Sequence, residues 1–173
     1  GLFGYLGYDM VRLVEHLPLG DKPDPLDLPD AVLMRPSVVA VLDGVKGEVT
    51  VVAPAWAGSG LSARGAYAQA AERVMDALRD LDRAPPVTHD LGSGATPVGE
   101  AVSNFSHDAY LAAVEKARDY IRAGDIFQVV PSQRWAQSFT LPPFAFYRSL
   151  RRTNPSPFMF FFNFGGFQVG GAT

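Results

Sequence analysis

Apolar and polar positions recur regularly enough to divide the chain into elements. From Gly1 to Tyr8, glycines alternate with Leu, Phe and Tyr, the pattern of a strand whose missing side chains let another backbone or a helix come close. Five prolines and several aspartates over residues 17–36 predict an irregular loop. Valine-rich runs at 37–43 and 48–53, joined by Gly44-Val45-Lys46-Gly47, predict a β-hairpin. After Ser62, the residues Tyr67, Ala71, Val74, Leu78 and Leu81 recur at four- and three-residue steps. They predict a helix with that face buried and Arg64, Glu72, Arg73, Asp76 and Arg79 in water.

Residues 84–99 hold prolines, glycines, Ser and Thr with few apolar positions and read as a linker. Beyond them Ser106 is a good N-cap and Asp108 suits the positive end of a first turn. Tyr110, Val114, Ala117 and Ile121 form a buried stripe that Gly124 terminates. Residues 127–135 read as a strand. Pro142-Pro143 opens a short helix with Phe144, Tyr147 and Leu150 inward, and Asn154-Pro155 ends it, because the residue before proline is pushed out of the helical region. Residues 158–164 and 167–172 predict a second hairpin around Gly165-Gly166. No internal repeat and no steady βαβ alternation are present, so the expected class is α+β. Layered antiparallel sheets are expected, with helices packed outside, burying Val39, Val41, Val49, Val51, Phe160, Phe162 and Val169. The expected organisation is an N-terminal region over 1–83, a linker over 84–104 and a second region over 105–173.

At 173 residues and 47% hydrophobic content the chain is long enough to bury a core. A formal net charge of −3, with scattered Lys and Arg, leaves no electrostatic footprint for nucleic acid or an anionic membrane. The absence of cysteine removes disulfides and thiolate catalysis, and His16, His89 and His107 are too far apart in sequence to suggest a local zinc site. The longest strongly apolar run, 158–164, falls far short of the ~20 residues of a membrane helix. Nothing at the start has the parts of a signal peptide, which makes the cytoplasm the expected compartment. The opening Gly1 and the closing Gly171-Ala172-Thr173 read as cut ends.

Among candidate chemistry, Gly4-Tyr5-Leu6-Gly7 and Gly165-Gly166 lack the Gly-x-x-x-x-Gly-Lys pattern of a phosphate loop and read as tight turns or close packing. Asp9 and Arg12, three apart, form either a local ion pair or a ligand contact; Asp125, just past a helix end, has the same two readings. Gln128, Ser132 and Gln133 interrupt an apolar strand, and polar side chains there need partners if buried. In residues 154–157, two prolines around a serine stiffen the backbone, giving either a rigid ligand rim or a plain helix stop.

Four segments, in this order, resemble the chorismate-binding subunit of anthranilate synthase, component I. They are Gly4-Tyr5-Leu6-Gly7-Tyr8-Asp9-Met10-Val11-Arg12, Tyr120-Ile121-Arg122-Ala123-Gly124-Asp125, the Gln128 to Arg134 strand, and Arg152-Thr153-Asn154-Pro155-Ser156-Pro157. The resemblance implies part of a carbon–oxygen lyase that converts chorismate, with ammonia from glutamine, into anthranilate and pyruvate. It further implies Mg²⁺, a glutamine amidotransferase partner (component II) and feedback inhibition by tryptophan. It implies that Asn154, Pro155, Ser156, Pro157, Phe158 and Met159 line the tryptophan pocket, Phe158 replacing the usual tyrosine. On the same resemblance residues 1–83 belong to the regulatory region and 105–173 open the chorismate-binding region. The Mg²⁺-binding glutamates, the active-site histidine and the substrate-carboxylate arginine would follow an Ala-Ser-Pro-Glu segment beginning at Ala172, so no catalytic or metal-binding residue is expected in this chain.

A sister enzyme, the chorismate-binding subunit of aminodeoxychorismate synthase, shares the fold. Its strand typically reads Gln-Val-Asn-Leu where this chain has Gln128-Val129-Val130-Pro131, and Val130, Pro131, Ser156 and Met159 depart from it while Phe158 leans toward it. A non-catalytic amino-acid-sensing or protein-interaction module is the alternative of another class.

Overall fold

The computed structural model describes residues 1–17, 23–58, 60–84 and 99–172. Among the described residues helices and antiparallel ribbons mix without parallel strands, an α+β fold, and the chain divides into two compact units, Gly1–Val87 and Thr88–Thr173.

In the first unit β1 (Phe3–Leu6) pairs antiparallel with β2 (Ala31–Met34). The glycine alternation of β1 has a direct use: a Cβ on Gly4 would collide with the Val32 carbonyl oxygen across the ladder. Tyr8 is not in the strand but begins a 3-10 helix, Tyr8–Leu13. The expected proline loop also needs correction, since β2 lies inside it. Ala31 to Met34 is an apolar run short enough to be overlooked, and its ladder partner is far away in sequence. The Tyr5 hydroxyl donates to the Pro29 carbonyl (2.6 Å) and the Gly7 N–H to that of Asp30 (2.6 Å), which lock its entry.

The next ribbon, β3 (Val39–Asp43) with β4 (Glu48–Val52), is the expected first hairpin. Asp43 organises its turn by accepting from the Val45 and Lys46 N–H groups, both at 3.0 Å. Against expectation, Val41 and Val49 are exposed, while Val39 and Val51 are half-buried.

The predicted helix after Ser62 is α1 (Ala63–Asp82), capped by the Ser62 hydroxyl, which accepts from Gly65 N–H at 3.1 Å. Its packed face is only partly the predicted one, since of that stripe Val74 is half-buried. Ala66 and Ala70 are the buried core, each 5% exposed, and Tyr67 (71%), Leu78 and Leu81 face outward. The helix packs on β4, and small side chains one turn apart permit a close approach that the larger residues would block. Arg73, expected in water, is half-buried instead: its Nη2 donates to the Pro54 carbonyl (2.9 Å), tying the end of the β-ribbon to the helix. Arg35, from the connection between β2 and β3, stacks over Trp56 at 4.2 Å.

The second unit opens with β5 (Val102–Ser103), which lies inside the stretch expected to be linker; residues 85–98 of that stretch, with His89, lie outside the described residues. Helix α2 (His107–Ala123) follows its expected limits. Ser106 Oγ accepts from Ala109 N–H (3.2 Å), and Gly124 adopts φ 82°, so that its N–H bonds Ile121 and the Asp125 N–H bonds Tyr120. Tyr110, Val114 and Ala117 are half-buried, but Ile121 is exposed. Removing the cap by Ser106→Ala in the whole protein is expected to cost about 1 kcal/mol, and Ser106→Asp to keep most of it. A urea midpoint that falls for Ala and not for Asp supports this; equal falls would rule out the cap.

Residues 127–134 do not form the expected strand. Only β6 (Trp135–Ala136) pairs, with β5, and Phe127 is 93% exposed. A strand exists only where a ladder partner does, and β5 offers two residues; Pro131 also lacks the N–H a ladder requires. Helix α3 (Pro143–Thr153) starts with proline at its first position and ends at Asn154, as expected. The second hairpin, β7 (Met159–Asn163) with β8 (Gln168–Ala172), closes through the Phe164 N–H to Phe167 carbonyl bond (3.0 Å). Phe160 and Phe161 stand opposite Gly171 and Gly170, so their rings fold over positions without side chains. Alternation sends Phe161 to α3, touching Phe144 (5.2 Å) and Tyr147 (5.5 Å), and sets Phe160 beside Phe162 (5.4 Å, rings tilted by 36°) on the other face.

Candidate functional site

Helix α3 carries a turn at its end and a groove along its apolar face. At the turn, Thr153 Oγ1 donates to the Ser149 carbonyl (3.1 Å) and Asn154 N–H to that of Leu150 (2.9 Å), which finishes the helix. Pro155 and Pro157 then remove two N–H donors, and the Phe158 N–H donates to Ser156 Oγ (3.4 Å). Phe158 is 73% exposed, whereas Met159 is half-buried and enters β7 opposite Ala172. Asn154 to Met159 thus run as one rigid connection from a helix C-terminus to a strand start. They include no acid, base or metal ligand. Residues 126–173 contain no Asp or Glu, and Arg148, Arg151 and Arg152 sit on the last turns of α3. The local charge is therefore positive and favours a ligand that carries a carboxylate.

The groove is a cavity of about 360 Å³ whose walls include Trp135, Phe139, Phe146, Tyr147, Leu150 and Phe161. None of residues 154–159 lines it. Periodicity marked Tyr147 and Leu150 as inward but had no means of joining them to Trp135 and Phe139, which arrive from the β6 segment. Phe144, also expected inward, touches Phe161 and stays exposed.

The remaining sequence candidates scatter. Asp9 and Arg12 form an exposed pair at 3.6 Å, a contact of small energetic weight. Gln133 Nε2 donates to Ser103 Oγ (2.6 Å) and the backbone of Arg134 pairs with Asn104, so this stretch braces β5. Gln128, Ser132 and Asp125 are exposed, and the Asp125 N–H completes the α2 cap. Among the described residues no three His, Asp or Glu side chains come together as a cation site, so these residues do not fit Mg²⁺.

The chain resembles several known proteins along its whole length. It is 83% identical over 173 residues to anthranilate synthase component 1 of Cereibacter sphaeroides, covering 100% of this chain and 34% of that protein. Anthranilate synthase component 1 of Thermus thermophilus is 44% identical over 166 residues (95% of this chain, 33% of that one). That of Neisseria meningitidis serogroup B is 41% identical over 177 residues (100% and 35%). The crystal structure of anthranilate synthase component I from Streptococcus pneumoniae TIGR4 superposes with a TM-score of 0.76 at 32% identity, covering 99% of this chain and 38% of that one. The chain spans about a third of the length of these curated relatives. The sequence profile of the chorismate binding enzymes matches residues 1–173, and the chain belongs to that family.

Proposed function

We propose that this chain is part of an anthranilate synthase component I, a carbon–oxygen lyase of tryptophan biosynthesis. In this reading the whole protein converts chorismate and ammonia, released from glutamine by an amidotransferase subunit (component II), to anthranilate and pyruvate with Mg²⁺. The observation that carries it is the 83% identity to an anthranilate synthase component 1 without loss of coverage at either end of this chain. Residues 1–83 would contribute to the regulatory region and 105–173 would open the chorismate-binding region, with 84–104 between them. The Mg²⁺ ligands and the acid–base groups would lie outside the 173 residues. Residues 154–159 would line the site where tryptophan inhibits, a role suited to a stiff turn beside three arginines and without a reactive group. The proposed compartment is the cytoplasm; no helix of the described residues is long and apolar enough to cross a membrane.

The test is the whole protein, supplied with chorismate, Mg²⁺ and ammonium, assayed by anthranilate fluorescence and by chromatography of products. Anthranilate and pyruvate in equal amounts are expected. Accumulation of 4-amino-4-deoxychorismate without anthranilate would assign the chain to the sister enzyme, and binding of tryptophan without turnover would assign it to a sensing module.

A further inference from the structure

The groove between α3 and the ribbons β5–β6 and β7–β8 has the size of a small-molecule pocket, but its polar groups argue otherwise. Ligand pockets combine apolar walls with a few convergent hydrogen-bonding groups that orient the ligand. Here the two amides on the rim are turned to the chain itself: Gln137 Nε2 donates to the Gly99 carbonyl (2.7 Å) and Gln168 Nε2 to Asn163 Oδ1 (3.3 Å). Among the described residues no charged side chain lines the cavity. Its banks are large open aromatic faces, with Trp135 and Phe146 each 59% exposed and Phe139 set edge-on to Phe146 at 5.8 Å.

Open aromatic faces of this kind mark a surface that another surface covers. Relatives of this family are about three times as long as the chain, so most of their surface comes from segments outside it. We infer that the α3 groove is the seat of apolar side chains from a further segment of the same polypeptide, outside these 173 residues, and is not a ligand pocket. The inference rests on the reading that the chain is part of a longer protein like its relatives, and not on the reaction that protein catalyses.

Hydroxyl-radical footprinting of the whole protein, read by peptide mass spectrometry, tests it. The sample is kept without chorismate, tryptophan or amidotransferase, at a concentration where sedimentation shows a monomer. Oxidation of Trp135, Phe139 and Phe146 is expected to be lost relative to the same residues in urea. Oxidation at the rate of the unfolded protein would overturn the inference. Protection that appears only on adding chorismate or tryptophan would make the groove a ligand site. Protection only at concentrations that dimerise the protein, or only with the amidotransferase present, would make the occupant a second chain; each of these outcomes also refutes the inference. Failure to form anthranilate would sink the proposed reaction and leave the footprint unaffected.

Discussion

The 173-residue chain by itself, given chorismate, Mg²⁺ and ammonium, is expected to form no anthranilate above a no-protein blank. Catalysis requires groups preorganised around the developing charge, and a metal that stabilises it must be held by several hard ligands at fixed positions. The described residues assemble no such set. Their packing also falls short of what preorganisation needs, since Ala66 and Ala70 are the buried hydrophobic core. The loss is expected to be complete rather than graded, because a missing ligand set cannot be rescued by more substrate. Anthranilate fluorescence followed for hours at high protein concentration is the measurement. Turnover above the blank would mean that residues 1–173 contain a catalytic centre, against both the sequence reading and the site geometry.

In the whole protein, Pro155→Ser and Met159→Thr are expected to weaken inhibition by tryptophan while leaving the uninhibited rate nearly unchanged. Pro155 follows the residue that ends α3 and holds the turn stiff, so serine there returns conformational freedom that binding must then remove. Met159 is half-buried at the start of β7, and threonine removes apolar surface at a cost of about 1–2 kcal/mol, a five- to thirtyfold weakening. A tryptophan titration of wild type and both variants at saturating chorismate reads this directly. Unchanged inhibition with collapsed turnover in both would make the turn catalytic or purely structural. Equal loss of turnover and of thermal stability would reduce it to a helix stop.

Element limits were legible where one or two residues decide them. Ser62 and Ser106 accept a hydrogen bond from the third residue on, Gly124 takes the left-handed conformation, and Asn154 before Pro155 leaves the helix. Both hairpins were legible because their turns are local: Asp43 caps its own loop, and Phe164 bonds Phe167 across Gly165-Gly166. The turn at 154–159 belongs to the same class, since its stiffness follows from its prolines. Its proposed ligand came from resemblance alone.

Whatever depended on a distant partner was not legible. The period of α1 holds two apolar stripes, and hydrophobicity favoured the one with Tyr67, Leu78 and Leu81; proximity to β4 selected the one with Ala66 and Ala70, where small side chains let helix and sheet meet. Arg73 looked solvated until the Pro54 carbonyl stood within reach. Ala31 to Met34 became a strand because β1 is beside it, and residues 127–134 did not because β5 offers only two residues to pair. The groove likewise joins Trp135, Tyr147 and Phe161 from three elements. By itself, then, the sequence determined where helices and tight turns begin and end, because caps and turn residues act within a few positions. Tertiary structure alone decided which faces are buried and which extended segments are strands, because burial and ladder hydrogen bonds need a second surface that local periodicity does not specify.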